Sequence, residues 1–423
     1  MTKDQKRLRI LWVSHLMPYP PKGGVLQRAY NMINELAKYH DVTLVAFNQK
    51  DLVRNIYKGE DGIKDIEKNL RKICTDVTVV DIPLEKYKFG KAFKLFASIF
   101  TPSSYNMSWL RSHTMAELLQ KEARKNYDVV HFDTISLAIY GNIFSDSVKI
   151  LNHHNIESHM LLRRSGNERN ILKKGYLKLE GEKLNAAEKK YCPEFDLNLS
   201  CSELDSERLR VISPEVNVEE IENGVDLHYF NTDKKMSSRK GLVFAGRLDA
   251  YSNKVAVEFL AFNIWPLVRE AYPTITLDII GANPPESVLN LAKSDSRIKV
   301  HGFVSDVRPY LAAARLYVCP ITDGGGTKLK VLDALAMRVP LLANPIACEG
   351  IGVVNGKSVL FATDENSYVK KILEYYDDDN KLEALAENGR VLVEQEFGYE
   401  QIGVNLSHLY ESCVQQKKWE EIH

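Results

Sequence analysis

Short runs of β-branched and aliphatic residues, each followed by a longer helical stretch, recur along this chain, and that recurrence constrains its fold more than any other feature. Residues 8–14, 41–47, 76–81, 128–131, 148–152, 196–200 and 218–221 read as buried strands, with helical stretches at 25–38, 51–72 and 170–191 between them. Strands separated by helices cannot pair as hairpins. They line up as a parallel sheet with helices on both faces. After a polar segment, NTDKKMSSRK at 231–240, the alternation starts again, with strands at 241–245, 274–280, 300–304, 316–320, 339–343 and 358–361 and helices at 253–271 and 328–337. The expectation is an α/β chain of two Rossmann-like, doubly wound parallel sheets. Residues 1–230 form the first domain, 231–398 the second, and an amphipathic helix at 399–423 packs back on the first.

Composition excludes several classes. The 423 residues are 26% charged and 44% apolar, as in ordinary globular proteins. No run approaches the ~18 apolar residues of a membrane span. The start, MTKDQKRLRILWVSHLMPYP, has the basic head and short apolar run of a signal peptide. Ser14 and His15 break that run and no small-residue cleavage site follows, so a first buried strand is expected instead. Six scattered cysteines without paired spacing suit a reducing cytoplasm and argue against zinc. Charge sums to zero, yet residues 1–205 carry +7 and residues 206–423 carry −7. Such a split either turns the basic half toward an anionic partner or only decorates solvated faces.

The window 84–125 holds eight basic and three acidic residues, and Lys86, Lys88, Lys91 and Lys94 interleave with Tyr87, Phe89, Phe93, Phe96 and Phe100. A segment of this kind lies in a membrane interface or holds a lipid-linked phosphate; the alternative is a core-packing helix with a solvated lysine face. The expected location is the cytoplasm, at the inner face of the cytoplasmic membrane where 84–125 makes peripheral contact. No nucleic-acid partner is expected.

Ligands of open parallel sheets gather at the carboxyl ends of strands, and the residues there carry the chemistry. The stretch 315–352, RLYVCPITDGGGTKLKVLDALAMRVPLLANPIACEGIG, places Gly324, Gly325, Gly326 and Thr327 between a strand and a helix that begins with Lys328 and Lys330. Unpartnered N–H groups at a helix start, the helix dipole and glycines without a Cβ make an anion site, and Asp333 can accept from hydroxyls of an attached sugar. Gly23 and Gly24 stand likewise between strand 8–14 and the next helix. Histidines close two neighbouring strands, HFD at 131–133 and HHNIE at 153–157, which contain His131, His154, Asn155 and Glu157. Asp377 to Asp379 resembles a metal-binding triplet but has no phosphate loop nearby and reads as a solvated connection.

These motifs together resemble the donor site of retaining glycosyltransferases of family 4, which have the two-domain GT-B fold with its sheets facing across an interdomain cleft. Leu332, Asp333, Ala334, Leu335, Ala336 and Pro340 follow the family's Leu-Glu-Ala-Met-Ala run, with Asp333 in place of the second glutamate. The first glutamate falls on Gly325. A branch of the family has a Gly-Gly-Thr-Arg/Lys-Leu-Lys form, and residues 325–330 are similar to it. The resemblance implies that Gly23, Gly24 and Arg28, in a Gly-Gly-x-x-x-Arg pattern, reach over the donor diphosphate. It implies that Asn223 and Gly224 begin the Asn-Gly-Val-Asp turn of the donor side, that His154 lies beside the donor sugar, and that Arg247 contacts the leaving diphosphate. The family's lysine five residues beyond that arginine falls on Ser252, leaving Lys254 or Lys330 to reach in. His131, Asn155 and Glu157 are further candidates on the acceptor side.

What the resemblance implies is a retaining, metal-independent transferase that needs no cofactor and takes a UDP- or GDP-sugar as donor and a glycan or lipid-linked acceptor. A nucleotide-sugar epimerase of the same fold and a catalytically idle nucleotide-sugar-binding protein remain as alternatives.

Overall fold

The computed structural model describes residues 7–21, 24–49, 61–87, 89–323 and 327–422. The chain forms two compact units, Met1–Glu222 with Glu400–His423, and Asn223–Tyr399. The first contains β1 (Arg9–Ser14), β2 (Asp41–Asn48), β3 (Asp76–Asp81), β4 (Val129–Phe132), β5 (Val148–Asn152), β6 (Leu197–Ser200) and β7 (Val218–Glu220). They pair in parallel in the order β3-β2-β1-β4-β5-β6-β7. The apolar run after the basic head is therefore an interior strand: Trp12 is paired with Leu44 on one side and His131 on the other. From Ile10 onward β1 is wholly buried, which is why it reads as a continuous apolar run and not as an alternating one.

The second unit repeats the plan with β8 (Leu242–Ala245), β9 (Leu277–Ile280), β10 (Ile298–Gly302), β11 (Leu316–Cys319), β12 (Leu341–Ala343) and β13 (Leu360–Phe361), in the order β10-β9-β8-β11-β12-β13. In each sheet the order reverses beside its first strand, between β1 and β4 in one and between β8 and β11 in the other. Those two points are where the doubly wound fold leaves strand ends uncovered.

Two details differ from the sequence reading. Residues 223–230, expected with the first domain, lie with the second, because the Val225 N–H donates to the Phe397 carbonyl at 2.8 Å and Arg390 holds the carbonyls of Phe230 and Ala336 at 2.9 and 2.6 Å. The single helix read at 253–271 is Tyr251–Phe259, a wide π-type turn at Leu260–Ile264 and then Trp265–Ala271. Pro266 has no N–H to give to the preceding turn and its ring crowds the carbonyl there, and the widened turn relieves both.

The tail helix Tyr399–Ile422 returns to the first unit. There the Tyr410 hydroxyl bonds Nδ1 of His131, Ser407 Oγ lies 2.8 Å from Nε2 of His40, and Gly403 packs so close to Glu35 that a Cβ on it would fall 2.3 Å from the Glu35 Cβ.

In the second unit Gly281, just past β9, has φ +150°, and a Cβ there would stand 1.7 Å from the Gly246 carbonyl oxygen. No rotamer relieves a clash with backbone. Gly281→Ala is expected to cost about 3 kcal/mol or more through local backbone displacement. Urea unfolding measures it; an unchanged midpoint would show that the two loops are not held at that distance.

Candidate functional site

In the second unit the candidate residues gather past the ends of β8 and β11. Arg247 follows β8 by two residues, and its side chain is 68% exposed, with Nε 2.9 Å from Asp249 Oδ1. An exposed pair like this contributes little to stability, so exchanging the Asp249 carboxylate for another anion costs little. Lys330 lies in the first turn of the helix Leu329–Ala336, and its ammonium is hydrogen-bonded to Asn253 Oδ1. It sits 5.6 Å from the centre of the Phe244 ring and 2.7 Å from where a Cβ on Gly246 would be. A side chain at 246 would push the lysine terminus aside. The Asn253 Nδ2 group donates to the Arg247 carbonyl at 2.8 Å. Asn253 thus joins the Lys330 ammonium to the backbone of Arg247, a link that sequence reasoning did not find. Of the two lysines considered for the role that Ser252 leaves unfilled, Lys330 is the one bonded to the residue next to it, Asn253.

Burial lowers the Lys330 ammonium to about 8, with Lys328 adding to the effect and Asp333 opposing it. Thr327 is buried, and its carbonyl accepts from Asn223 Nδ2 at 3.4 Å, which brings the turn of Asn223 and Gly224 to the segment before the helix. Lys328 is the extended residue preceding that helix, and Asp333 is part-buried on its second turn. Gly324, Gly325 and Gly326 lie outside the described residues, as do Gly23 and Lys88. The aspartates at 377–379 are engaged elsewhere: Asp377 accepts from the Tyr272 hydroxyl, Asp378 begins a helix, and Asp379 pairs with Arg315 at 2.6 Å.

In the first unit the centre is a residue that the sequence reading quoted but did not single out. Asp133 follows β4, is fully buried, and receives hydrogen bonds from Ser14 Oγ, Asn152 Nδ2 and His154 Nε2, each at 3.1 Å. His15 Nδ1 lies 3.6 Å from its other oxygen. Burial alone would raise this carboxyl, but His154 and the contacts from His131 and His15 hold it well below its usual range. An ionised carboxylate only accepts, so Nε2 of His154 carries the hydrogen of that contact.

Three of the histidines are thereby sorted. His154 is 12% exposed at the strand end. His153 is buried against Asn198, and burial lowers it to about 4. His131, also fully buried, stacks on Trp12 with ring centres 3.5 Å apart and bonds Tyr410, so it belongs to the core and not to an acceptor surface. Asn155 is part-buried beside His154, and Glu157 accepts from Thr134 Oγ1 at 2.9 Å, bracing the segment after Asp133.

Gly24 opens the helix Gly24–Tyr39, and Arg28 on its next turn is 1% exposed, donating to the carbonyls of Ile221 and Glu222 at 2.7 Å each. Here Arg28 holds the chain that leaves β7. His15, Asp133 and His154 also present ligand atoms within 4.8 Å of one another and are the group among the described residues able to converge on a metal ion. His15 was missed, although it stands at the carboxyl end of β1 beside the order reversal, where the rule applied to 131 and 154 would have found it.

Residues 239–378 match the family model described as Glycosyl transferases group 1. Over 405 residues the chain is 23% identical to a Klebsiella pneumoniae protein described as an uncharacterized 44.6 kDa protein in cps region, covering 92% of this chain and 96% of that one. Sucrose-phosphate synthase from Thermosynechococcus elongatus superposes with a TM-score of 0.70 at 15% identity, over 96% of this chain and 100% of the other. HepE of Anabaena, solved with UDP and glucose, gives 0.66 at 14% identity over 96% and 100%. A mutant of S. aureus TarM, solved with fondaparinux, alpha-GlcNAc-glycerol and UDP, gives 0.67 at 12% over 95% and 100%. At these identities the likeness shows the fold, which is GT-B.

Lys330 has a measurable cost. Folded, it releases its proton near pH 8; unfolded, near its ordinary 10.5. Between those values the unfolded chain binds more protons, so stability rises with pH across that window, and the charged form below it is destabilising. Lys330→Met is expected to raise stability at pH 7 by about 1–3 kcal/mol, a gain that shrinks toward pH 10.5. Urea melts at several pH values measure this, and a pH-independent gain would show that charge is not its source.

Proposed function

We propose that the chain is a retaining, metal-independent glycosyltransferase that moves a sugar from a UDP- or GDP-sugar to a glycan or lipid-linked acceptor in surface polysaccharide or glycoconjugate synthesis. One observation carries the reading: the group 1 glycosyl transferase match over residues 239–378 falls on the unit in which Asn253 bonds both the Lys330 ammonium, at a helix start, and the Arg247 carbonyl past the end of β8. The UDP in the HepE and TarM structures supports UDP as the nucleotide half of the donor, and the cps-region relative supports a polysaccharide acceptor.

Breaking the bond between sugar and diphosphate leaves additional negative charge on the departing group. The Lys330 ammonium, the Arg247 guanidinium and the first N–H groups of the helix Leu329–Ala336 are the donors that meet it. Each such fixed donor is worth on the order of 3 kcal/mol where water is excluded. Retention requires the acceptor hydroxyl to approach from the side the diphosphate leaves. In the first unit Asp133 fixes the orientation of the His154 ring through Nε2, and His154 is the candidate for contact with the transferred sugar.

Purified protein mixed with a panel of nucleotide sugars is expected to release nucleoside diphosphate from one of them slowly without acceptor and faster with acceptor glycan. An altered sugar without acceptor would make the protein an epimerase, and tight binding without turnover would make it an idle binding protein. Chelation with EDTA is expected to leave turnover unchanged; a loss that Mn²⁺ or Zn²⁺ restores would reassign His15, Asp133 and His154 as metal ligands. Arg247→Ala is expected to lower turnover ~100-fold, and a folded variant with undiminished rate removes that residue from the leaving-group site.

Asp133→Asn should lower turnover by about 10–100-fold while nucleotide affinity is retained, because it disturbs the orientation of His154 and leaves the second unit intact. Calorimetric titration with UDP separates the two effects; equal loss of both would place Asp133 in folding.

A further inference from the structure

The helix Gly90–Ile99 turns its apolar face outward. Phe89, Phe93, Phe96 and Phe100 recur at steps of four, three and four, which is one face of a helix, and all are 63–74% exposed. What the helix buries is Gly90, whose Cβ would fall 2.0 Å from the Leu84 carbonyl oxygen, and Ser98. Ser98 is its attachment to the neighbouring helix Ile171–Tyr191: Ser98 Oγ lies 3.4 Å from the Tyr176 hydroxyl, and Lys183 Nζ donates to the Ser98 carbonyl. That neighbour begins with Ile171 and Leu172, which are 83% and 86% exposed and little more than one turn from Tyr176. Two elements joined through Ser98 and Tyr176 therefore both carry bare apolar side chains, whereas a helix serving only its own domain turns that face to the core.

The charges on these two segments are mainly basic, although Glu85 lies 3.9 Å from Lys91 and Glu168 pairs with Lys173 at 2.6 Å. Residues 86–100 contain four lysines and no acid, and residues 169–178 contain Arg169, Lys173, Lys174 and Lys178 and no acid. Aromatic side chains at the surface with basic residues beside them match the two layers of a lipid interface, acyl boundary and anionic headgroup. None of the helices among the described residues is long and apolar enough to cross a membrane, so the contact is parallel to the surface.

We infer that the phenylalanine stripe of Gly90–Ile99, together with Ile171 and Leu172, seats the first unit on an anionic lipid bilayer. This goes beyond the sugar-transfer reading, and either can fail without the other. The stripe enters the headgroup–acyl boundary, and Lys91, Lys94 and Lys174 meet lipid phosphates. An acceptor anchored in the same bilayer would then be met by diffusion in two dimensions.

The test is flotation of the full chain with phosphatidylglycerol–phosphatidylcholine vesicles and with pure phosphatidylcholine vesicles, at low and high salt. Binding is expected with the anionic vesicles and should weaken with salt. The triple change Phe93→Ser, Phe96→Ser, Phe100→Ser should lower the bound fraction ~10-fold or more, with an unaltered thermal melt because these side chains are exposed. Lys91→Glu, Lys94→Glu and Lys174→Glu together should remove the preference for anionic lipid. Failure of the wild-type chain to float, or equal flotation of the serine variant, overturns the proposal. So does a concentration-dependent dimer in sedimentation that the serine changes abolish, which would make a second copy the occupant. Release of nucleoside diphosphate in solution by the serine variant, unchanged from wild type, keeps this test separate from that of the transferase reading.

Discussion

A parallel sheet whose strand order reverses sends the segments after two neighbouring strands to opposite faces, and the gap between them is left uncovered. That constraint operates twice here. Between β1 and β4 it leaves Ser14, His15 and Asp133 at strand ends, with Asn152 and His154 beside them on β5 and its exit. Between β8 and β11 it leaves Gly246 and Arg247 on one side and the approach to the helix Leu329–Ala336 on the other. Neither set is close in sequence. The register of the sheet, with Leu316 beside Leu242 and Val130 beside Leu11, brings them together.

The two uncovered points hold opposite kinds of buried charge, and the difference is in how each is compensated. Asp133 is enclosed but surrounded by donors: a hydroxyl, an amide and imidazoles. Its charge is therefore favoured, and the carboxylate acts as a fixed point that orients rings. Lys330 is part-buried, with a neutral amide oxygen as its hydrogen-bond partner, an aromatic ring 5.6 Å away, and Lys328 outweighing the opposing Asp333. Its charge is disfavoured. A cation whose charge its surroundings disfavour is what the proposed anion site requires.

Much of this was legible in the sequence, for definite reasons. Strands buried on both faces read as unbroken apolar runs, so β1 was distinguishable from a signal segment even with basic residues before it. Lys330 drew attention because the start of a helix after a strand and a glycine-rich stretch is a ready place for an anion, and the structure puts it in the first turn of such a helix. What stayed hidden depended on side-chain direction. The tripeptide HFD at 131–133 drew attention for its histidine, yet His131 enters the core against Trp12 while Asp133 takes the strand end. Arg28 fits a donor-loop pattern by spacing, and only the return of β7 beside it shows that its guanidinium is occupied by the carbonyls of Ile221 and Glu222. Asn253 was invisible for a similar reason: its partner on one side is a backbone carbonyl and on the other a lysine 77 positions away. The stripe at 89–100 was visible as a pattern, but periodicity does not say whether such a face turns inward or outward.

The state of Lys330 ties proton binding to anion binding. If a diphosphate supplies the countercharge, it raises the proton affinity of the ammonium from about 8 back toward its ordinary 10.5, and by reciprocity the proton raises the affinity for the diphosphate. Binding near pH 8 then draws a proton from solution, and release of the diphosphate returns it. The same coupling bears on turnover, because charge grows on the departing group as the bond breaks. In the proposed transfer, an ammonium whose hydrogen-bond partner is a neutral amide would gain more from that growth than one already paired with a carboxylate, making the interaction stronger at the transition state than with intact donor. A salt-bridged lysine at 330 would make the folded chain more stable and the departing diphosphate less well held.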